Sequence, residues 1–193
     1  MRSRLTYRVV KILQWFRIVE YFFLSSGKKK GKACYVQPVL IVGEGFVEFE
    51  NRVQLGYYPS PFFLNGYIHL EARGRGTKVR IGTDTKINNN FVAIAEHTSI
   101  SIGKRCLIGF NVEIYDSDFH GIPVRDRNTS TAEMAKAVRI GDDVFIGSNV
   151  KILKGAIVGD GSVIANGSIV LGEIPPDVVA GGNPAKVLKV INS

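Results

Sequence analysis

At 193 residues, with 45% apolar side chains and 21 glycines, the chain is neither disordered nor collagen-like, and it is long enough for one well-buried domain with a small appendage. Its net charge of +8 is unevenly placed: residues 1–32 hold nine Lys or Arg against Glu20 alone, and the remainder carries sixteen of each sign. The neutral body offers no extended basic groove, which argues against nucleic acid as a partner, and two cysteines, Cys34 and Cys106, with no C-x-x-C pair, give no disulfide framework and fit a reducing compartment.

The first segment, 1–32, reads as a basic amphipathic helix and linker. Leu5, Val9, Ile12, Leu13, Phe16, Val19 and Phe23 make one apolar helical face. Arg4, Arg8, Lys11 and Arg17 lie opposite, with Trp15, Ile18 and Phe22 among them. Arg2, Arg4, Arg8, Lys11, Arg17 and Glu20 interrupt the apolar run, so neither a secretory signal nor a membrane span is expected, and a cytoplasmic location is. Basic residues interleaved with aromatics suit a helix resting on the inner face of an anionic membrane, each base contributing about 1 kcal/mol. The other reading is a helix packed on the protein's own assembly, with Lys28 to Lys32 as a solvated linker.

From Ala33 a second domain is expected to run to the end of the chain. Its first part, residues 35–76, is irregular: V-E-F at 47–49 and V-Q-L-G at 53–56 look like imperfect repeats, and Y-Y-P-S-P-F-F-L-N-G at 57–66 reads as a loop of Pro-restricted backbone. The regular part is a six-residue repeat. Ile140, Ile146, Ile152, Val158, Ile164 and Val170 follow one another at that period, with Val144, Val150, Ala156, Ser162 and Ser168 four places after the first five. Gly or Ala usually follows the aliphatic (Gly141, Gly147, Gly159, Ala165), and the same grammar appears at Ile81-Gly82, Ile102-Gly103 and Ile108-Gly109. A six-residue period fits neither an α-helix nor a coiled coil, and a Gly in each repeat would cost a helix roughly 1 kcal/mol every time. It fits a parallel β-helix, in which three hexads close one triangular coil and stacked coils join their apolar edges into a continuous core at a spacing of about 4.8 Å. Cys106 is then a small inward residue. The series Ile102, Ile108, Ile114 places its next member at 120, where His120 stands instead, and the hexads resume only at Ile140, so a loop is expected to leave the helix over about 115–139.

These hexads resemble the left-handed β-helix, hexapeptide-repeat acyltransferase superfamily. Three further stretches carry the resemblance: I-N-N-N-F-V-A-I at 87–94, D-S-D-F-H at 116–120, and V-V-A-G-G-N-P-A-K at 178–186, the last close to the family's G-N-P-A-K ending. Within the superfamily the likeness is greatest to polysaccharide and lipopolysaccharide O-acetyltransferases and to maltose and galactoside acetyltransferases. The resemblance implies an all-β homotrimer that uses acetyl-CoA as cosubstrate, without a metal, to acetylate a sugar hydroxyl of a surface polysaccharide or lipid-linked glycan. His120 would be the general base, a role suited to imidazole and contributing on the order of 10²–10⁴ in rate. Its second nitrogen needs an acceptor. Glu133 is favoured for this by its place before the hexads resume, with Asp116 and Asp118 as nearer candidates that could equally shape a turn. Asn88 and Asn90 of the N-x-N element and Arg125 of the loop are candidates for the acceptor side. The family's coenzyme groove between subunits implicates Gly147, Ser148, Ala165 and Asn166, with Lys186 and Lys189 for the phosphates. This chain differs from the family pattern at Phe145, where relatives often carry Trp, and at Leu171-Gly172, where a Thr-Lys pair is common. N-acetylation of an amino sugar and a non-enzymatic binding platform are the alternatives. A zinc site is not expected, because separations of 28 and 23 residues between His69, His97 and His120 do not bring them to one edge of an 18-residue coil.

Overall fold

The six-residue period is realised as short parallel strands joined by tight corners. The computed structural model describes residues 2–191, with side chains from residue 5 onward. A helix, Arg2–Leu24, is followed by strands laid in rotation onto three faces of a prism. The first face has seven strands: Lys28–Lys30, Phe46–Phe49, Lys78–Ile81, Ser99–Ile102, Val138–Ile140, Ile157–Val158 and Glu173–Ile174. The second runs from Ala33–Tyr35 through Val53–Leu55, Lys86–Ile87, Leu107–Ile108, Phe145–Ile146 and Val163–Ile164 to Val178–Gly182, and the third from Val39–Val42 to Ile169–Val170. Among the strands of the described residues only the closing one, Ala185–Val190, is antiparallel, folding back along Val178–Gly182 beyond the N-P-A turn.

The register explains the aliphatic spacing. On the first face Ile81, Ile102, Ile140 and Val158 are direct partners from coil to coil; on the second Ile87, Ile108, Ile146 and Ile164 are; on the third Ile114, Ile152 and Val170 are. All eleven side chains are buried and belong to one core. Leu70, Ala93 and Ala95 continue it toward the N-terminal coils, where Val47, Phe49, Val53 and Leu55 join it from the strands Phe46–Phe49 and Val53–Leu55, so the early coil expected around 47–56 is present. Cys106 lies in the same core, its Sγ–H aimed at the Gly141 carbonyl (3.1 Å), and burial pushes its thiol up to about 11. This is an inert small side chain.

The corners have a rule of their own. At the corners after Ile81, Ile102, Ile140, Ile87, Ile108 and Ile146 the third residue takes the left-handed backbone conformation: Asp84, Arg105 and Asp143 between the first and second faces, and Asn90, Asn111 and Asn149 between the second and third, all with φ between 55° and 62°. Such φ values cost least for Asn, Asp and Gly. Stacked side chains then bond along the prism. Asn90 donates to Asn111 (2.8 Å) and Asn111 to Asn149 (2.9 Å); Arg105 holds Asp143 and Arg52 holds Asp84 in two-bond pairs.

The corner between the third and first faces is short in early coils, but after Glu113–Tyr115 it swells into residues 116–137. The core rung is postponed, not replaced: Ile102 pairs with Ile140, and His120 lies outside the ladder. The neck is closed by the Ser117–Ala135 bridge and by Lys136 N–H donating to the Asp116 carbonyl (2.8 Å). The distal limb is tied back through Ser130, whose hydroxyl donates to Glu96 Oε2 (2.8 Å) and stands 2.9 Å from His97 Nε2. Arg73 binds the other Glu96 oxygen (2.8 Å) and places its guanidinium over Phe119. Burial alone would raise the Glu96 carboxyl; hydrogen bonds from Ser117, Ser130 and Arg73 outweigh it and hold the group below its ordinary value.

The N-terminal helix corrects the expected face. Val10, Gln14, Arg17, Ile18 and Tyr21 turn toward the body, whereas Leu5, Val9, Ile12, Leu13, Phe16 and Phe23 turn outward and only Val19 is partly covered. The side chains of Arg2 and Arg4 lie outside the described residues. The inner face is chosen by backbone acceptors in the 57–66 loop: buried Gln14 donates to the Phe63 carbonyl (2.9 Å) and Arg17 to that of Gly66 (2.8 Å). Tyr7 and Tyr21 meet the rings of Tyr58 and Tyr67. The aromatic loop is thus the helix's seat, fastened from below by fully buried Asn89, whose amide donates to the Tyr57 and Pro61 carbonyls (3.0 and 2.9 Å). The linker reading of Lys28 to Lys32 also gives way. Lys28–Lys30 is the first strand, paired with Phe46–Glu48, and the expected boundary at residue 32 falls inside the first coil.

Two outcomes follow. Asn111→Val, a β-branched residue at positive φ, should destabilise the fold by about 2 kcal/mol or more and Asn111→Gly by clearly less, read from thermal unfolding; equal losses contradict the corner rule. Because the Glu96 carboxyl is depressed in the folded state, its contribution is complete above the ordinary value of 4.5 and is lost as pH falls through its lowered value. The melting-temperature gap between wild type and Glu96→Gln should therefore be constant near neutrality and close in acid.

Candidate active site

His120 is exposed on the swollen corner, and its setting is made by backbone. Phe119 adopts φ 63°, with its N–H on the Ser117 hydroxyl (3.0 Å), which turns the chain outward. Gly121 then donates to the carbonyls of Asp126 (3.2 Å) and Thr129 (3.1 Å). A Cβ on Gly121 would stand 2.5 Å from the Asp126 oxygen, so the tight return depends on glycine here. The return places the Arg127 carbonyl 2.7 Å from His120 Nδ1. A carbonyl only accepts, so Nδ1–H donates to it, and in the neutral ring Nε2 is left as a bare acceptor. The histidine borders a cleft of about 460 Å³ lined also by Asp118, Ile122, Thr131, Glu133 and Lys154.

This arrangement revises the acidic partners. Glu133 shares the cleft, but its carboxylate accepts the Thr131 hydroxyl (3.0 Å), and the Arg127 carbonyl has the place expected for it on the imidazole. Asp118 is ion-paired with Lys154, which also reaches the Met134 carbonyl (2.8 Å). Asp116 is fully buried and caps the preceding coil, accepting the N–H groups of Glu96 (2.7 Å), His97 (3.3 Å) and Thr98 (2.7 Å) together with the Thr98 hydroxyl. Its work is structural. Arg125 lies on the short turn Val124–Asp126, exposed, with Nε 3.5 Å from Asp126.

The remaining candidates occupy another edge of the prism. Asn88 and Asn90 stand at the corner between the second and third faces, Asn88 accepting its neighbour's N–H (2.7 Å) and Asn90 bonding into the asparagine ladder. Neither approaches His120 within one chain. Gly147, Ser148, Ala165 and Asn166 form two successive corners of the same edge, where Asn166 Oδ1 accepts Ser148 N–H (2.8 Å) and leaves no room for a side chain on Gly147. Lys186 lies beside this group, because its partner in the closing hairpin is Gly181, which packs against Ala165; Lys189 is farther along the same exposed strand. The fold therefore gathers the coenzyme candidates, and puts the imidazole on a different edge. Of the other histidines, His69 contacts Glu71 (3.1 Å) and His97 contacts Ser130. Among the described residues no group of three His, Cys, Asp or Glu is arranged to hold a metal.

Arg127, Ser130, Glu96 and Asn89 were not expected from the sequence. Arg127 acts through its carbonyl, which every residue type carries, so no side-chain signal could have found it.

The sequence matches two family profiles, "Bacterial transferase hexapeptide (six repeats)" over residues 137–172 and "Hexapeptide repeat of succinyl-transferase" over 99–128. It is 39% identical over 118 residues to the galactoside O-acetyltransferase of Escherichia coli K12, covering 61% of this chain and 56% of that one. The first curated relatives are spanned by this chain over only 37–66% of their lengths. Among solved structures, the polysialic-acid-specific acetyltransferase NeuO superposes with a TM-score of 0.64 at 29% identity, covering 86% of this chain and 69% of that one. A hexapeptide-repeat acetyltransferase of Vibrio cholerae O1 biovar eltor, crystallised with acetyl-CoA, gives 0.59 at 25% identity, covering 96% and 89%. The prism has the left-handed coil of these proteins, and residues 99–128 and 137–172 carry the hexapeptide repeat of bacterial transferases.

Proposed function

We propose that the chain transfers an acetyl group from acetyl-CoA to a hydroxyl of a sugar in a surface polysaccharide or lipid-linked glycan, with His120 as general base. The observation that carries this reading is the bond from His120 Nδ1–H to the Arg127 carbonyl, which in the neutral ring leaves Nε2 as the free acceptor beside an open cleft. Nε2 takes the proton of the sugar hydroxyl as its oxygen attacks the thioester carbonyl. The tetrahedral intermediate collapses to the acetyl ester and expels the coenzyme thiolate, which recovers the proton from the imidazolium. Acetyl-CoA is the partner named with the V. cholerae relative, and sugar acceptors are named with the galactoside and polysialic acid enzymes.

The donor side of the site is assigned to the corners at Gly147–Ser148 and Ala165–Asn166, with Lys186 and Lys189 toward the phosphates. Since these lie on a different edge from His120, a complete site needs a second copy of the chain, one protomer supplying the imidazole and its neighbour the donor groove. A homotrimer closes three such seams. That is the assembly the reading requires.

His120→Ala should lower kcat by about 10²–10⁴ with little change in KM for acetyl-CoA, followed as thiol release across a panel of sugars. Glu133→Gln, which leaves the Arg127 contact intact, should stay within about tenfold of wild type; the reverse ranking would return the orienting role to Glu133. Lys186→Ala with Lys189→Ala should raise KM for acetyl-CoA a few-fold and leave kcat nearly unchanged, as expected of exposed charges worth about 0.2–1 kcal/mol each.

A further inference from the structure

The outward side of the N-terminal helix is apolar along its length. Leu5 is 65% exposed, Ile12 56%, Phe16 60% and Phe23 79%, with Val9 and Leu13 on the same stripe and Glu20 as its one acid. The helix is not free to turn this stripe inward, because Gln14 and Arg17 fasten its other side to the 57–66 loop. Trp15, Phe22 and the Lys11–Tyr7 contact flank the stripe, and Lys29 reaches over Phe22 from the first strand, bringing the Lys28–Lys30 cluster to the C-terminal end of the helix. Among the described residues no helix is long and apolar enough to cross a membrane.

We propose that this face docks the protein on an anionic lipid surface, the 23-residue helix lying in the plane of the interface with Leu5, Ile12, Phe16 and Phe23 in the acyl boundary and the bases at the headgroups. Charge decides between a bilayer and a second copy of the chain. The whole excess of +8 lies in residues 1–32 while the body is balanced, so pairing two such helices would set like charges together, whereas anionic lipid answers them. The aromatic flanks suit the same boundary. The coil carrying His120 is the fourth from this end, about 15 Å above the first at one strand spacing per coil. On the acetyl-transfer reading, this brings the imidazole to the height of a glycan held by a membrane lipid.

The test is flotation of the full chain with phosphatidylglycerol–phosphatidylcholine vesicles against phosphatidylcholine vesicles alone. Wild type should float with the former, lose at least about tenfold in high salt, and bind the neutral vesicles weakly. The triple variants Leu5→Ser/Ile12→Ser/Phe16→Ser and Lys28→Gln/Lys29→Gln/Lys30→Gln should each lose about tenfold or more, while keeping the wild-type circular dichroism and oligomeric mass. Failure of wild type to float, equal binding to both vesicles, or undiminished binding by the serine variant overturns the proposal. So does a fall in oligomeric mass in that variant, which would show the stripe covered by a second copy. Thiol release with a soluble sugar should be the same for wild type and both variants; its absence in all three would count against acetyl transfer and leave the lipid result standing.

Discussion

The structure depends on one backbone constraint: from the third coil onward, the tight corners between the first and second faces and between the second and third each turn on one residue in a left-handed conformation. Asp84, Arg105, Asp143, Asn90, Asn111 and Asn149 meet that demand, and their polar side chains then bond to the coil above or below. Once the corners are fixed, parallel pairing brings Ile onto Ile and Val, and the core fills without further instruction. The walls present polar or exposed residues between buried ones, so function can be added at the corners while the ladder stays intact.

The swollen corner shows how. Its ends are closed by main-chain bonds, its root is capped by Asp116, and its far limb is pinned by the Ser130–Glu96–Arg73 chain. What projects is a short return with one orienting bond, from His120 to the Arg127 carbonyl. A carbonyl is a steady partner for this purpose, since it cannot take up a proton near neutrality and so cannot reverse the tautomer.

Much of this was legible in the residues. The aliphatic period announced the stacked coils, Cys106 fell where a small inward residue was needed, and the break after Ile114 marked the loop. The misreadings share a cause, which is that side-chain type was taken to decide contacts that the backbone decides. The helix was oriented by its apolar stripe, but carbonyls in the 57–66 loop bind Gln14 and Arg17 and turn that stripe outward. Glu133 and Asp116 looked like partners for the imidazole, yet one holds Thr131 and the other holds three N–H groups of the preceding coil. Lys28–Lys30 read as linker because its charges are exposed, while its main chain pairs with Phe46–Glu48.

On the acetyl-transfer reading, the division of the site between two edges calls for a second copy of the chain, which a symmetric ring would supply. All of it rests on the proton arrangement of one ring, and the nitrogen chemical shifts of the His120 imidazole report that directly. In the neutral ring the account predicts a proton on Nδ1, held by the Arg127 carbonyl, and a bare Nε2. A neutral ring with its proton on Nε2 would contradict it.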